Sequence, residues 1–168
     1  AFDSLKPGLV AVQLSLLEMS ASGISGEGVD AYFANKAKQQ NKPVQFLETL
    51  DFQIKLIAAM GEGYETDFIR QNIENNAELG PLMLKSIKAW RSGDLAQIDE
   101  LLLKDARTDD PKLFQQMFTE RNQNWLRQIQ QMFGNQQKEL VLVGAGHLPG
   151  NDGLLQLLRQ AGFEVTQL

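Results

Sequence analysis

Apolar positions recur at helical spacing over most of this chain and give way to short β-branched runs in three places. Val10, Leu14 and Leu17, with Val12 and Leu16 between them, predict a helix from Pro7 to about Met19 that is apolar nearly all round and buried. Ser20 to Gly28 is small and glycine-rich, a loop, and Asp30 favours the start of a helix from Val29 to about Gln40. After the turn Asn41-Lys42-Pro43, Val44 to Leu47 reads as a strand finished by Glu48 and Thr49, with Thr49 capping a helix from Leu50 to Met60 that Gly61 stops. Residues 64 to 133 then read as successive helices. Thr66 begins one that runs to about Ala77, Leu79-Gly80-Pro81 breaks it, and Leu82 to Arg91 is the next. Asp94 caps Leu95 to Lys104. Asp109 or Asp110, followed by Pro111, opens a long helix that ends at Phe133 and Gly134.

The last third carries the densest pattern. Leu140 to Val143 is an apolar run too short for a helix and bounded by glycine, so it reads as a buried strand. Gly144-Ala145-Gly146 lets the backbone turn tightly, and His147, the single histidine, sits in that turn. Asn151 or Asp152 can cap a helix over Leu154 to Ala161. Gly162 ends it, and Phe163 to Leu168 alternates as another strand. Strand, glycine loop, helix and strand make a βαβ unit with parallel pairing, which puts His147 at the carboxyl end of a strand, where open α/β sheets place ligands. The loop is not the dinucleotide fingerprint, because Pro149 stands where the third glycine belongs.

The fold expected from this pattern is α/β and strongly helical. A small, mainly parallel sheet (44–48, 139–143 and 163–168) is interrupted by a helical insertion over about 50–134. So small a sheet leaves open edges. Either the chain is the C-terminal part of a larger α/β protein, or it exchanges elements with a second copy in a homodimer.

Composition narrows the functions. The 168 residues carry a net charge of −5 and a pI near 4.9, with no basic stripe, which speaks against nucleic acid as a partner. There is no cysteine, hence neither a disulfide framework nor a thiolate metal site. No apolar run reaches the roughly 18 residues of a membrane span. The opening Ala1-Phe2-Asp3, without methionine, suggests that a leader has been removed. The many Gln and Asn residues between Gln115 and Gln137 read as a solvated helix face.

Three residues carry candidate chemistry. His147 is either a loop histidine bonded to backbone or a titratable ring placed for reaction. Glu48 ends one strand as His147 follows another. Were the strands parallel neighbours, carboxylate and imidazole would share a rim suited to metal binding or acid–base work; otherwise Glu48 favours the N-terminus of the next helix. Arg121 falls on the stripe formed by Phe114, Phe118, Trp125, Ile129 and Met132. There it either snorkels out or meets a buried acid, for which Glu48 is the candidate, in a structural pair or in an active site.

Several separated segments, in order, resemble the TraB/GumN family, which is related to the Tiki metalloproteases and the pheromone-shutdown proteins. They are Gly28 to Phe33, Asn41-Lys42-Pro43-Val44 with Leu47-Glu48-Thr49, Glu120 to Trp125, and Val141 to Gly150 with Gly153-Leu154-Leu155. The resemblance covers nearly the whole chain, so residues 1–168 are expected to form one TraB/GumN-like domain, the C-terminal portion of a longer protein. It implies a fold similar to the erythromycin-esterase and haem-binding ChaN proteins, and a site made of two Gly-x-x-His motifs, an acid and an arginine. Gly144 to His147 matches the second Gly-x-x-His, with Gly144 and Gly146 as loop residues that contact substrate. Glu48 matches the acid and Arg121 the arginine. The first Gly-x-x-His belongs upstream of Ala1, together with the N-terminal strands. The implied activity is metal-dependent hydrolysis, with a peptidase as one form of it, His147 as a ligand of Mn²⁺, Co²⁺ or Zn²⁺, Glu48 as a ligand or general base, and Arg121 as oxyanion stabiliser or anchor for Glu48. The alternatives are capture of a peptide or small molecule without chemistry, and carriage of haem. Bacterial relatives of the GumN type are usually periplasmic or lipid-anchored, which is the setting expected for the whole protein.

Overall fold

The computed structural model describes residues 4–134 and 137–168, so Ala1-Phe2-Asp3 and Asn135-Gln136 lie outside it. The described residues fold into helices and loops that form two compact units, residues 1–83 and 84–168.

In the first unit, α1 (Pro7–Ala21) packs on α3 (Leu50–Ala58) through Gly8, where a Cβ would collide with the Ile57 carbonyl. Thr49 caps α3 as its sequence predicts, its hydroxyl accepting from the Phe52 N–H at 3.2 Å. Between them α2 (Val29–Gln39) carries Asp30 in its first turn. Gly61 takes φ +78° and has the Phe68 ring laid against its Cα, so it ends this region both by conformation and by space. The fourth helix, α4 (Glu65–Ser92), does not break at Leu79-Gly80-Pro81 as expected; it runs through the proline. Pro81 removes one helical hydrogen bond, a local penalty of about 3 kcal/mol. The preceding turns are held from outside: Gly80 lies against Ser22 with no room for a side chain, and Asn76 donates to the Glu18 carboxylate at 3.4 Å.

In the second unit, Asp94 caps α5 (Leu95–Leu102) by accepting from Gln97 N–H at 2.9 Å. The expected continuation to Lys104 is cut by Leu103, which is buried and separates α5 from a further short helix, α6 (Lys104–Asp109). Asp110 caps the next helix at Leu113 N–H, 2.9 Å away, with Pro111 in the first turn as expected. That long helix is not uniform: α7 (Pro111–Phe114) leads into a π-helical turn (Gln115–Thr119) and then α8 (Glu120–Met132). Phe114, Trp125 and Ile129 are buried on it with Ile98, Leu103 and Leu154. The final helix, α9 (Leu154–Gln160), starts from Gly153; neither Asn151 nor Asp152 caps it.

No strand is present among the described residues. The expectation of an α/β chain with a small parallel sheet, a helical insertion and an erythromycin-esterase/ChaN-like topology is therefore overturned. Residues 44–48, 139–143 and 163–168 lack regular structure. Alternation and β-branching make a segment suited to a strand, but a ladder needs a second segment beside it, and these segments face water instead: Phe46 is 83% and Leu140 66% exposed. The last segment is held by side chains rather than a ladder. Phe163 stacks on Phe133 at 4.5 Å, and the Gln167 amide donates to the Gly93 carbonyl at 3.0 Å.

Two consequences can be measured. Leu103→Ala is expected to lower stability by about 2–5 kcal/mol in denaturant unfolding, because Leu103 is enclosed and the loop at Gly146 packs against it. The Glu65 carboxyl is held below its usual value of 4.5, first by the Gly63 N–H that donates to it at 3.0 Å. A depressed carboxyl stabilises the fold at pH above 4.5, and that contribution disappears as pH falls through the lower folded value. The stability difference between wild type and Glu65→Gln is therefore expected to shrink in acid unfolding series below pH 4.5; a constant difference would show that the hydrogen bond is not formed.

Candidate functional site

The site assembles where α8 meets the loop after Val143. Gly144 takes φ −57°, ψ 139°, an extended conformation open to any residue, so it is not the conformational pivot its sequence suggests. Ala145–His147 form a 3-10 turn closed by the His147 N–H on the Gly144 carbonyl at 2.9 Å. Gly146 is tightly placed: a Cβ there would stand 3.3 Å from the Phe118 ring and 3.4 Å from Leu103, close enough that one of them must shift. The left-handed position in the loop is Gly150, at φ +85°.

His147 is only 6% exposed. Its ring lies 4.4 Å from the Trp125 ring and 5.1 Å from that of Phe118, and Nδ1 is 2.7 Å from Asn122 Oδ1. Asn122, 1% exposed, turns its amide nitrogen to the backbone carbonyls of Asp152, 2.8 Å away, and of His147, 3.5 Å away. Thr119 adds a hydroxyl bond to the Asp152 carboxylate at 3.2 Å. Three successive contact points on one helix face, Phe118, Asn122 and Trp125, thus grip the ring and both ends of its loop.

Arg121 is half-buried one position away. Its guanidinium lies 4.8 Å over the Trp125 ring and donates to the Met117 carbonyl of the π-turn at 3.0 Å. The structure therefore brings Arg121 and His147 onto the same tryptophan. Behind them, Arg107 sits 4.9 Å over Phe114, which stacks on Phe118 at 5.1 Å. Asp99 binds Arg107 at 2.8 and 3.4 Å and pushes its pKa up through those hydrogen bonds. Gly150 abuts this ion pair, with space for a Cβ only 3.2 Å from each partner, so the far end of the loop is seated as well.

Glu48 lies in the other unit. Its carboxylate accepts from the Gln53 side chain at 3.3 Å, in irregular backbone just before α3 rather than at a strand end. Asn122 is the site residue that sequence reasoning missed. It occupies the same apolar stripe as Arg121, four positions after Phe118 and three before Trp125, so the reading of the Gln and Asn residues of this segment as a solvated face fails at Asn122, which is buried. A polar residue on an apolar face that must find partners was the available signal.

The ring of His147 is supported by an amide and two aromatic rings. Among the described residues no group of three or more His, Asp or Glu side chains is arranged to hold a metal ion. These residues do not amount to a metal site, and no step is assigned to a metal here.

A helical protein whose lone histidine is gripped by an asparagine and two aromatic rings beside an arginine is the class that fold and site define. Residues 1–167 match the TraB/PrgY/gumN family, essentially the whole chain, and the chain belongs to that family. No curated protein and no solved structure matches it.

The two loop glycines are expected to behave differently. Gly146→Ala overpacks Phe118 and Leu103, with a loss of about 1–3 kcal/mol and a shift of the His147 ring resonances. In Gly144→Ala the Cβ meets only the His147 ring, at an ordinary 3.7 Å, and stability stays within about 0.5 kcal/mol of wild type in thermal unfolding.

Proposed function

We propose that the chain carries part of a hydrolytic site that acts on peptides, with His147 as the group that takes up the proton and Arg121 as the cation that steadies developing negative charge. The observation that supports this reading most is the placement of the lone histidine. A solvated surface ring needs no aromatic enclosure, whereas His147 is enclosed, has Nδ1 on the Asn122 amide and is set on the same tryptophan as a guanidinium. Membership of the TraB/PrgY/gumN family is compatible with it. The resemblance to the Tiki metalloproteases further implies dependence on Mn²⁺, Co²⁺ or Zn²⁺, which the residues around His147 do not by themselves hold, and an exported or lipid-anchored setting for the whole protein. Among the described residues no helix is long and apolar enough to cross a membrane.

The test is cleavage of a mixture of short peptides, followed by mass spectrometry, with and without each metal and a chelator. His147→Ala is expected to reduce the rate by on the order of 10²–10⁴-fold, the usual worth of a general base, and Arg121→Ala to reduce it as well. Unchanged cleavage in His147→Ala overturns the proposal. Peptide affinity that survives both chelation and His147→Ala, without cleavage, moves the protein to non-catalytic capture.

A further inference from the structure

The amide of Asn122 dictates where the proton on His147 sits. A carboxamide has one oxygen that only accepts and one nitrogen that only donates. Nδ2 of Asn122 faces two backbone carbonyl oxygens, those of Asp152 at 2.8 Å and His147 at 3.5 Å, and carbonyls only accept. The nitrogen end of the amide is thereby identified, and Oδ1 is the atom left facing His147 Nδ1 at 2.7 Å. An oxygen that only accepts requires a hydrogen on Nδ1. In the neutral ring the hydrogen is then absent from Nε2, which keeps its lone pair. Rotation of the ring to the opposite arrangement is opposed by Phe118 and Trp125, packed against it, and would leave a buried amide oxygen without its donor.

We infer that Asn122 is a positioning residue which holds neutral His147 in the Nδ1–H form, so that Nε2 is the working atom. The inference deepens the hydrolytic reading above and rests on it for the word working; the protonation state itself does not depend on it. The choice of a neutral amide has a consequence. A carboxylate in the same place would orient the ring equally well but would also favour its charged form, in which Nε2 has no lone pair. Asn122 orients without adding that charge. Its amide also closes the loop by holding the carbonyls of His147 and Asp152, so loop position and ring tautomer are set by one side chain.

The chain holds a single histidine, so ¹⁵N-histidine labelling yields the ring nitrogens of His147 alone. On the alkaline plateau of its titration, wild type is expected to show a protonated Nδ1 and a bare Nε2, with the Nδ1–H form at least about 10-fold in excess, a free-energy bias of about 1.4 kcal/mol. Asn122→Ala is expected to lose that excess and move toward the Nε2–H form favoured by free histidine. Asn122→Asp keeps an acceptor for Nδ1 but gives up the donor to the loop carbonyls and favours the charged ring, so its plateau is expected at higher pH and there to restore Nδ1–H, a rescue that a purely structural asparagine would not produce. A wild-type spectrum showing Nε2–H, or an unchanged ratio in folded Asn122→Ala, overturns the inference. If Asn122→Ala does not fold, the wild-type spectrum with Asn122→Asp decides it. The two readings fail separately: a protonated Nδ1 without any peptide cleavage leaves the positioning role standing and removes the hydrolase, whereas cleavage lost in His147→Ala with Nε2 protonated does the reverse.

Discussion

The hydrogen bond between Asn122 and His147 is the constraint on which the second unit turns. Both groups are buried, and a buried amide or imidazole left without a partner costs about 1–3 kcal/mol. The pair satisfies this demand mutually, and the remaining amide hydrogens go to the loop backbone. Among the described residues no buried side-chain nitrogen or oxygen lacks a partner. A fold that must bury Asn122 therefore has to bring the loop of residues 147–152 to α8, and bringing it there determines where the only histidine of the chain lies.

The helix beneath the loop is shaped to receive it. A π-helical turn from Gln115 to Thr119 sits directly before α8, and such turns recur where a helix carries function rather than regular packing. Here the turn contributes the Phe118 ring to one side of His147 and the Thr119 hydroxyl to Asp152, while its Met117 carbonyl is taken up by Arg121. Gly146 then allows the loop backbone to approach Phe118 and Leu103 within a distance no other residue would permit without displacement. Polar satisfaction and close packing thus act on the same few residues, and the ion pair of Asp99 and Arg107 closes the arrangement at Gly150.

Functionally, the consequence is a histidine oriented by a neutral amide. The aromatic rings exclude water and limit rotation, the amide supplies direction, and the nearest cation on the same tryptophan is Arg121. Within the TraB/PrgY/gumN family, to which the chain belongs, this arrangement accounts for three of the residues singled out by pattern, His147, Arg121 and Gly146, in terms of what each touches.

Helices were legible in the sequence because their causes are local. Thr49, Asp94 and Asp110 cap them within three residues, Pro111 opens one, and the stripe of Phe114, Trp125 and Ile129 is a periodicity of one segment. The sequence also singled out His147 and Arg121, since a lone histidine beside glycines and an arginine on an apolar face are visible without coordinates. The sheet was misread because alternation in residues 44–48, 139–143 and 163–168 states only what a strand would need, and pairing depends on residues far away in the chain. Pro81 was misread for a related reason, the contacts of Gly80 with Ser22 being tertiary. What the sequence determined by itself, then, was where most of the helices begin and that His147 and Arg121 stand out from their surroundings. That Asn122 is the partner of His147, that Gly146 rather than Gly144 is the tightly packed glycine, and which nitrogen of His147 faces the amide oxygen were decided only by tertiary structure, because each depends on distances between residues that local propensity does not relate.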